Sequence, residues 1–512
     1  MRWGNPTTKR QEMAEHKRPA GRKTNRPLVF GAVLLAMFMA AVEVTIVGTA
    51  MPSIVADLGG FALLGWVFSA YLLPQAISMP LWGKLADLYG RKPVFVAGTG
   101  LFLFGSLLCG LASSMPALIA FRVVQGLGAG AVQPIATTLV GDLYSLKERA
   151  KIQGYLSGVW GVSAIIGPAL GALFVEYLHW SWVFWVNVPI GLLAVAGVAF
   201  FLHEDVARKP HALDWPGAAL LLVSVAALML ALLQGGAAWT WTSPPSLALL
   251  AVFALGFAAF LWWERRAAEP ILPAAVWRHR VIALSNAASL TTGALLIAVS
   301  SYLPTYVQGV LEHSALVAGF ALTAMSMGWP LSATLSGKAM IRFGFRPVAV
   351  VGGVFLLVGA AFFVTLIPRH GPVWAALGSF FTGVGMGLAT TTFVVAVQSS
   401  VDWHTRGVAT AANLFMRVLG GTIGAALLGS ILNTRLRAHL EAAGIAGAQD
   451  PLAEVNRLLD PAQRLFLPAE TVARLQEGLA LSLKAVYWGT AVLAAVSFAL
   501  ILFLPKKGRE TS

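Results

Sequence analysis

Long apolar runs, each bounded by charged or turn-forming residues, recur along the whole chain. They fall at 28–51, 61–80, 93–113, 116–141, 152–175, 182–202, 213–234, 246–263, 281–311, 316–337, 346–367, 372–397, 405–432 and 484–504. An α-helix rises ~1.5 Å per residue, so a run of ~20 apolar residues crosses the ~30 Å hydrocarbon core of a bilayer. The pattern predicts an all-α membrane protein with fourteen spans. It also predicts a division into a tail at 1–27, six spans over 28–202, and a linker at 203–280 holding two additional central helices. Six more spans follow over 281–504, with a long external loop at 433–483, and then a tail at 505–512.

One string occurs twice. GKLADLYGRKPV, Gly83 to Val94, returns as GKAMIRFGFRPV, Gly337 to Val348, and each copy joins two apolar runs. Internal duplication of a six-helix unit is how many secondary transporters are built, with the substrate path where the two units meet. The central pair, with segments such as LLLVSVAALMLALL, has no intramembrane charge and reads as a lipid-facing wall. The 433–483 loop contains amphipathic pieces such as AEVNRLLDPAQRLF, which suits either a solvated tether or a partial cover over the external mouth.

Composition agrees with the spans. The 512 residues are 57% hydrophobic and 11% charged, and mean hydropathy is +0.75. A net charge of +14 in a soluble chain would suggest nucleic acid, but here its distribution decides the reading. With both termini placed in the cytoplasm, twenty-seven of the 36 Lys and Arg lie on that side, so the positive-inside rule predicts a multi-pass cytoplasmic (inner) membrane protein with cytoplasmic termini. Residues 1–27 are basic and lack an apolar core followed by a cleavage site, as expected of a cytosolic tail. The one cysteine, Cys109, has no partner for a disulfide. No HExxH, P-loop or Cys/His cluster marks an enzyme, a nucleotide site or a metal site, so neither cofactor nor metal is expected and energy would come from an ion gradient.

Few residues carry chemistry. Glu43, in LLAMFMAAVEVTIVGTAMP, is an acid in the outer half of the first span. Hydrocarbon disfavours its charged form, which suits a proton carrier; a structural acid held by one hydrogen bond is the other reading. Arg122, in FRVVQGLGAG, is the natural counter-charge, with Gln125 on nearly the same face. The glycines that follow let another helix approach, and TGVGMG at 382–387 repeats them without the arginine. In GVSAIIGPALGALF, Gly167, Pro168 and Gly171 mark a bend with small flanks. Asp87, Arg91 and Asp142 lie at the predicted cytoplasmic ends of spans two to four, as a gating cluster or as charges that serve only topology. Arg417 lies deep in span thirteen, lining a cavity or packed against a carbonyl.

These strings resemble the major facilitator superfamily, in its fourteen-helix drug:proton antiporter branch. GKLADLYGRK is similar to the superfamily's loop signature, RVVQGLGAG to its fourth-helix motif, and GPALG to its antiporter motif. VEVTIVGTAMP, WSWVFWVNVPIG, LDWPG, EPILPAAVWRHR and RGVATAANLFMRVLGGTIGAALLG resemble the fourteen-helix branch in particular. Two positions depart from the pattern: Glu43 stands where the family usually has Asp, and Ala172 where it has a second Gly. The resemblance implies a monomeric, proton-coupled exporter of small amphipathic compounds, cationic drugs among them, acting in a lipid bilayer without nucleic-acid partners. Glu43, Arg122 and Gln125 would serve proton coupling or substrate. Asp87, Arg91 and Asp142 would gate, and Gly167, Pro168 and Gly171 would form the antiport helix. Export of one specific metabolite or lipid by the same mechanism is the alternative.

Overall fold

The computed structural model describes residues 24–59, 64–204, 214–234, 239–267, 270, 277–313, 315–442, 458, 464 and 466–505. Most of both predicted tails and the middle of the 433–483 loop lie outside the described residues. Among those described, the long helices are α1 (Arg26–Leu58), α2 (Leu64–Tyr89), α3 (Arg91–Gly110), α4 (Met115–Leu143), α5 (Leu146–Tyr177), α6 (Asn187–Phe201, entered through the helical turn Trp182–Trp185), α7 (Trp215–Gln234) and α8 (Pro244–Glu264). They continue with α9 (Arg280–Gly309), α10 (Ala315–Phe343), α11 (Phe345–Val364), α12 (Gly371–Ser399), α13 (Trp403–Ala442) and α14 (Ala469–Leu502).

Each helix overlaps one expected span. Eleven, rather than all fourteen, are long and apolar enough to cross a bilayer among the described residues; α2, α5 and α10 fall outside that count. Those three meet helices of the other bundle, and there Ser, Thr, Gly and Pro replace part of the apolar stripe.

The duplication is visible in the packing. In the first six helices α1 packs on α5 and α6, α2 on α4, and α3 on α4 and α6; in the last six α9 packs on α13 and α14, α10 on α12, and α11 on α12 and α14. Both copies of the repeated string turn through a glycine with positive φ, +93° at Gly90 and +85° at Gly344, each capping the next helix. A side chain there would be strained. The small-residue runs also correspond. Gly126 and Gly130 of α4 lie against Tyr71 and Gln75 of α2, and Gly128 against Phe102 of α3. In α12, Gly383 and Gly387 lie against Met325 and Trp329 of α10, and Gly385 against Leu356 of α11.

The two six-helix sets meet along two seams. At one, α2 lies against α13, with Gly83 opposite Ala411 and Gly407; at the other, α5 lies against α10, with Gly154 opposite Thr334 and Gly161 opposite Ser326. The added pair is not simply a lipid wall. One face of α7, with Ala218, Leu221, Val225 and Met229, packs on α2 and α13 through Ala76, Phe415 and Val418, so the pair covers the first seam. Its outer face, including Leu255 and Trp262 of α8, is exposed. An apolar groove of about 670 Å³ opens at the second seam, lined by residues including Phe38, Tyr155, Val159, Pro330 and Leu335.

The 433–483 interval differs from a loop at both ends. The α13 helix runs on to Ala442 and α14 begins at Ala469. Leu432, Leu436 and Leu440 face Leu475, Leu479 and Leu483 in one buried cluster that also takes in Leu458. Their spacing of three to four residues buries one stripe while Arg435, Arg437 and Glu441 stay outside, which is why a run-length reading ended the span early.

Candidate functional site

Glu43, Arg122 and Gln125 meet inside the first bundle. The Arg122 guanidinium pairs with Glu43 Oε1 and donates to Gln125 Oε1 at 2.8 Å. Two further residues complete the arrangement. Asn187 Nδ2 donates to Glu43 Oε2 at 2.5 Å and to Ser106 Oγ at 3.1 Å, and Gln125 Nε2 donates to the same hydroxyl at 2.8 Å. The result is a closed ring of five side chains drawn from α1, α3, α4 and α6. Arg122 Nε also reaches Val67 O, and its guanidinium lies 4.2 Å from the Tyr71 ring centroid, so α2 holds the cation as well.

Every member of the ring is buried, Glu43 and Arg122 at 0% and 1% exposure. Removing one partner of the buried Glu43–Arg122 pair leaves an uncompensated charge and costs about 3–5 kcal/mol. The fold sets it there because Gly105 and Gly110 of α3 have no side chains: a Cβ at Gly105 would meet Gln125 Cβ at 2.7 Å, and one at Gly110 would meet Trp185 Cδ1 at 2.6 Å. Cys109 Sγ, also buried, is 3.7 Å from Gln125 Oε1. Gly167 and Gly171 lie beside the ring. Their close neighbour is α1 of the same bundle, at Thr45, Ile46 and Thr49, and Thr45 Oγ1 donates to Ser163 O of α5. Pro168 lies within α5.

A second cluster sits at the end of the molecule where α1 begins and α14 ends, called the termini side here. Arg91 bridges Asp87 at 2.7 Å and Asp142 at 2.9 Å, as the repeated string suggested. The other bundle supplies the rest. Arg406 of α13 pairs with Asp142, and Arg91 Nη2 donates to Trp403 O at 2.6 Å with its guanidinium over the Trp403 ring. Asp87 accepts from Gly407 N at 2.8 Å and Val408 N at 2.7 Å. In an α-helix the N–H of residue 407 belongs to the carbonyl of residue 403. Here α2 and α3 offer both of those groups a charged partner, which ties the first turns of α13 to the first bundle. Gln398 of α12 adds a bond to Thr137 O of α4 at 3.0 Å. On the other seam the close glycine approaches are at Gly154 and Gly161, both in the half of α5 nearer the termini side. The bundles are therefore latched on the termini side.

Arg417 stands apart from both clusters, on α13 with its carbonyl against Gly293 of α9. Among the described residues no group of three His, Cys, Asp or Glu is arranged to hold a metal ion.

Residues 33–425 match the profile of the Major Facilitator Superfamily. The chain belongs to the major facilitator superfamily. Among curated members of that superfamily it is 33% identical to Multidrug resistance protein 3 of Bacillus subtilis (strain 168), over 94% of this chain and 95% of that one. It is 35% identical to Multidrug transporter protein MdtP of the same organism, over 81% of this chain and 77% of that one. Among solved superfamily structures, the human organic anion transporter MFSD10 (TETRAN) superposes with a TM-score of 0.63 over 94% of this chain and all of that one, at 15% identity, a likeness of fold. The protein is thus a multi-pass membrane transporter of this superfamily and not an enzyme.

Asn187 and Ser106 escaped the sequence reading because neither is charged and they lie far from Glu43 in the chain. Asn187 did stand inside WSWVFWVNVPIG, where an amide among aromatic residues is the one polar signal. Arg406 stands at the head of its span, where a basic residue reads as a topological charge.

Proposed function

We propose that the protein is a proton-driven antiporter that exports amphipathic drugs from the cytoplasm by alternating access. The observation that carries this reading is the Glu43 ring: one wholly buried carboxylate whose charge is balanced by one guanidinium and whose second oxygen is held by one amide. A proton arriving on Glu43 removes the charge that Arg122 answers, and the guanidinium is left with Gln125, Val67 O and the Tyr71 ring. A buried polar network that is only partly satisfied is unfavourable, so protonation biases the first bundle toward a different packing. That is the requirement for coupling.

In this reading the termini side is cytoplasmic, in line with the excess of Lys and Arg there. The Asp87–Arg91–Asp142–Arg406 latch then closes the cytoplasmic gate and the conformation is outward-facing. The names of the two Bacillus subtilis relatives support drugs as cargo. Inside-out vesicles carrying Glu43→Gln test the coupling: accumulation driven by a proton gradient is lost while expression and membrane insertion persist. Undiminished uphill transport by that variant overturns the assignment. A panel of unrelated amphipathic compounds separates drug export from export of one metabolite, which would show a single responding compound.

A further inference from the structure

The second copy of the repeated string has no place in the latch. Lys338, Arg342 and Arg346 stand where the first copy has Lys84, Leu88 and Lys92, but Ile341 takes the place of Asp87 and, by the register of the glycine runs, Ser399 that of Asp142. The bases are kept and the acids are absent. Lys84 is buried and Lys92 Nζ donates to Leu202 O at 3.0 Å, whereas Lys338 and Arg342 are exposed. None of the three second-copy bases has an ion-pair partner among the described residues; Arg342 has a ring contact, 5.3 Å from the Phe343 centroid. An anion from outside the chain is the charge that would answer them.

The groove at the second seam lies beside these bases. There α5 and α10 touch at Gly154, against Thr334, and at Gly161, against Ser326, while between them a Cβ on Gly158 would meet open space. Leu34, Gly154 and Leu335 of the lining are each eight residues from the termini-side end of their helix, about 12 Å. From Gly154 to Val162 the α5 wall runs about 12 Å further, so the groove spans most of one leaflet, whose hydrocarbon is ~15 Å deep. Of the two polar side chains in the lining, Thr334 already donates to Pro330 O at 2.8 Å and Tyr155 packs edge-on to Phe30. The groove thus offers an apolar slot rather than polar recognition. On α10, Leu331, Thr334, Leu335, Lys338 and Arg342 stand at i, i+3, i+4, i+7 and i+11, one stripe that leads from the groove to the bases. The latch closes the space between the bundles on this side, and Leu331 and Leu335 are exposed, so the groove faces the bilayer.

We propose that the groove and the bases above it form a site for one anionic phospholipid of the termini-side leaflet: an acyl chain fills the groove, and the phosphate meets Lys338 and Arg342. Basic residues at the membrane surface attract anionic headgroups, and burial of the chain fixes one lipid in place of a diffuse excess. The walls come from α1 and α5 of the first bundle and α10 of the second, so the site is complete only while the bundles are latched. This inference goes beyond the transport reading above and does not depend on proton coupling.

Native mass spectrometry of the full-length protein in detergent, titrated with lipid, counts the adducts. The first dioleoylphosphatidylglycerol is expected to bind about tenfold more tightly than the first dioleoylphosphatidylcholine, about 1.4 kcal/mol. Lys338→Gln combined with Arg342→Gln, both at exposed positions, brings that ratio to about one. Gly158→Phe fills the groove and removes the tight event, whereas Gly100→Phe, also at a glycine facing open space, keeps it. Dihexanoylphosphatidylglycerol has the same headgroup on short chains and binds the wild type about tenfold more weakly than the dioleoyl lipid, which tests the groove even if Gly158→Phe does not fold. A wild type without headgroup preference overturns the proposal, as does a double variant that keeps it. Short chains that bind as well as long ones, or a tight event that survives Gly158→Phe, overturn it equally. Displacement of the lipid by an equal concentration of ethidium would make the groove a cargo site, and a dimer that disappears in Gly158→Phe would make it a contact between copies; either result refutes the lipid. Glu43→Gln leaves the lipid preference unchanged, so a failure of proton coupling is distinguishable from a failure of this site.

Discussion

Gly407→Ala addresses the latch with a single methyl group. A Cβ at Gly407 would stand 2.6 Å from Asp87 Oδ1 and 2.7 Å from Gly83 O, both in α2 of the other bundle. Real Cβ atoms do not approach so closely, and the obstacles are a backbone carbonyl and a carboxylate already fixed by Arg91 and by two N–H groups. Overpacking of this kind costs about 1–3 kcal/mol. The cost falls on the latched state alone, because the methyl is unopposed once the bundles part. Alanine in place of glycine favours the helix itself by about 1 kcal/mol, so any loss of closure comes from the clash. A bias of 1–3 kcal/mol shifts a two-state balance about 5–150-fold. The assay is labelling of Thr137→Cys by an impermeant maleimide added to the termini side. Thr137 is 2% exposed under the latch, and native Cys109 is fully buried and adds only a constant background. Labelling rises in Gly407→Ala and stays at the wild-type rate in Gly100→Ala, where a Cβ meets open space. Equal labelling of the two variants would refute the claim that this contact holds the seam.

Asn187→Ala leaves Glu43 Oε2 buried without its donor, at about 1–3 kcal/mol; gradient-driven transport falls well below wild type, and an unchanged rate would remove Asn187 from the coupling ring. Leu436→Ala deletes a fully buried side chain between α13 and α14 and costs about 2–5 kcal/mol. Its thermal midpoint drops by several degrees, whereas a flexible spacer over 446–455 changes neither the midpoint nor the substrate range; a selective loss of the bulkiest substrates would make that segment a cover rather than a tether. The Glu312 carboxyl is held below its ordinary range by hydrogen bonds from Gln476 and Arg464. A depressed value in the folded state contributes stability above the unfolded value and loses it as pH falls through the folded one. The side chain is half exposed, so the contribution is under about 1 kcal/mol. The midpoint difference between wild type and Glu312→Gln therefore closes below about pH 4, and a constant difference would refute the link.

The sequence made the membrane class and the Glu43–Arg122 pairing legible for one reason: charge in hydrocarbon is costly and stands out against apolar runs. The same logic fails for neutral donors. Asn187 holds the second carboxylate oxygen and Ser106 anchors both Asn187 and Gln125, yet a serine or an amide in a membrane helix is too common to signal anything alone. It fails again where partners come from different bundles. Arg406 and the backbone of α13 complete the latch from more than 260 residues away in the chain. The helical extensions past 432 and before 484 were hidden because a half-polar helix in water has no long apolar run, although the Leu436 and Leu479 stripes carry the period.

The α13–α14 pair has a practical value of its own. At 40 residues α13 is about 60 Å long, roughly twice the hydrocarbon thickness, and the part beyond the bilayer is braced by the leucines of α14. Small transporters usually vanish into the micelle in electron micrographs because nothing rigid protrudes. Here a natural mast stands on one bundle only. An antibody fragment raised against it would serve as a fiducial for particle alignment, and the tilt of that fragment relative to the disc would report the rotation of the second bundle image by image.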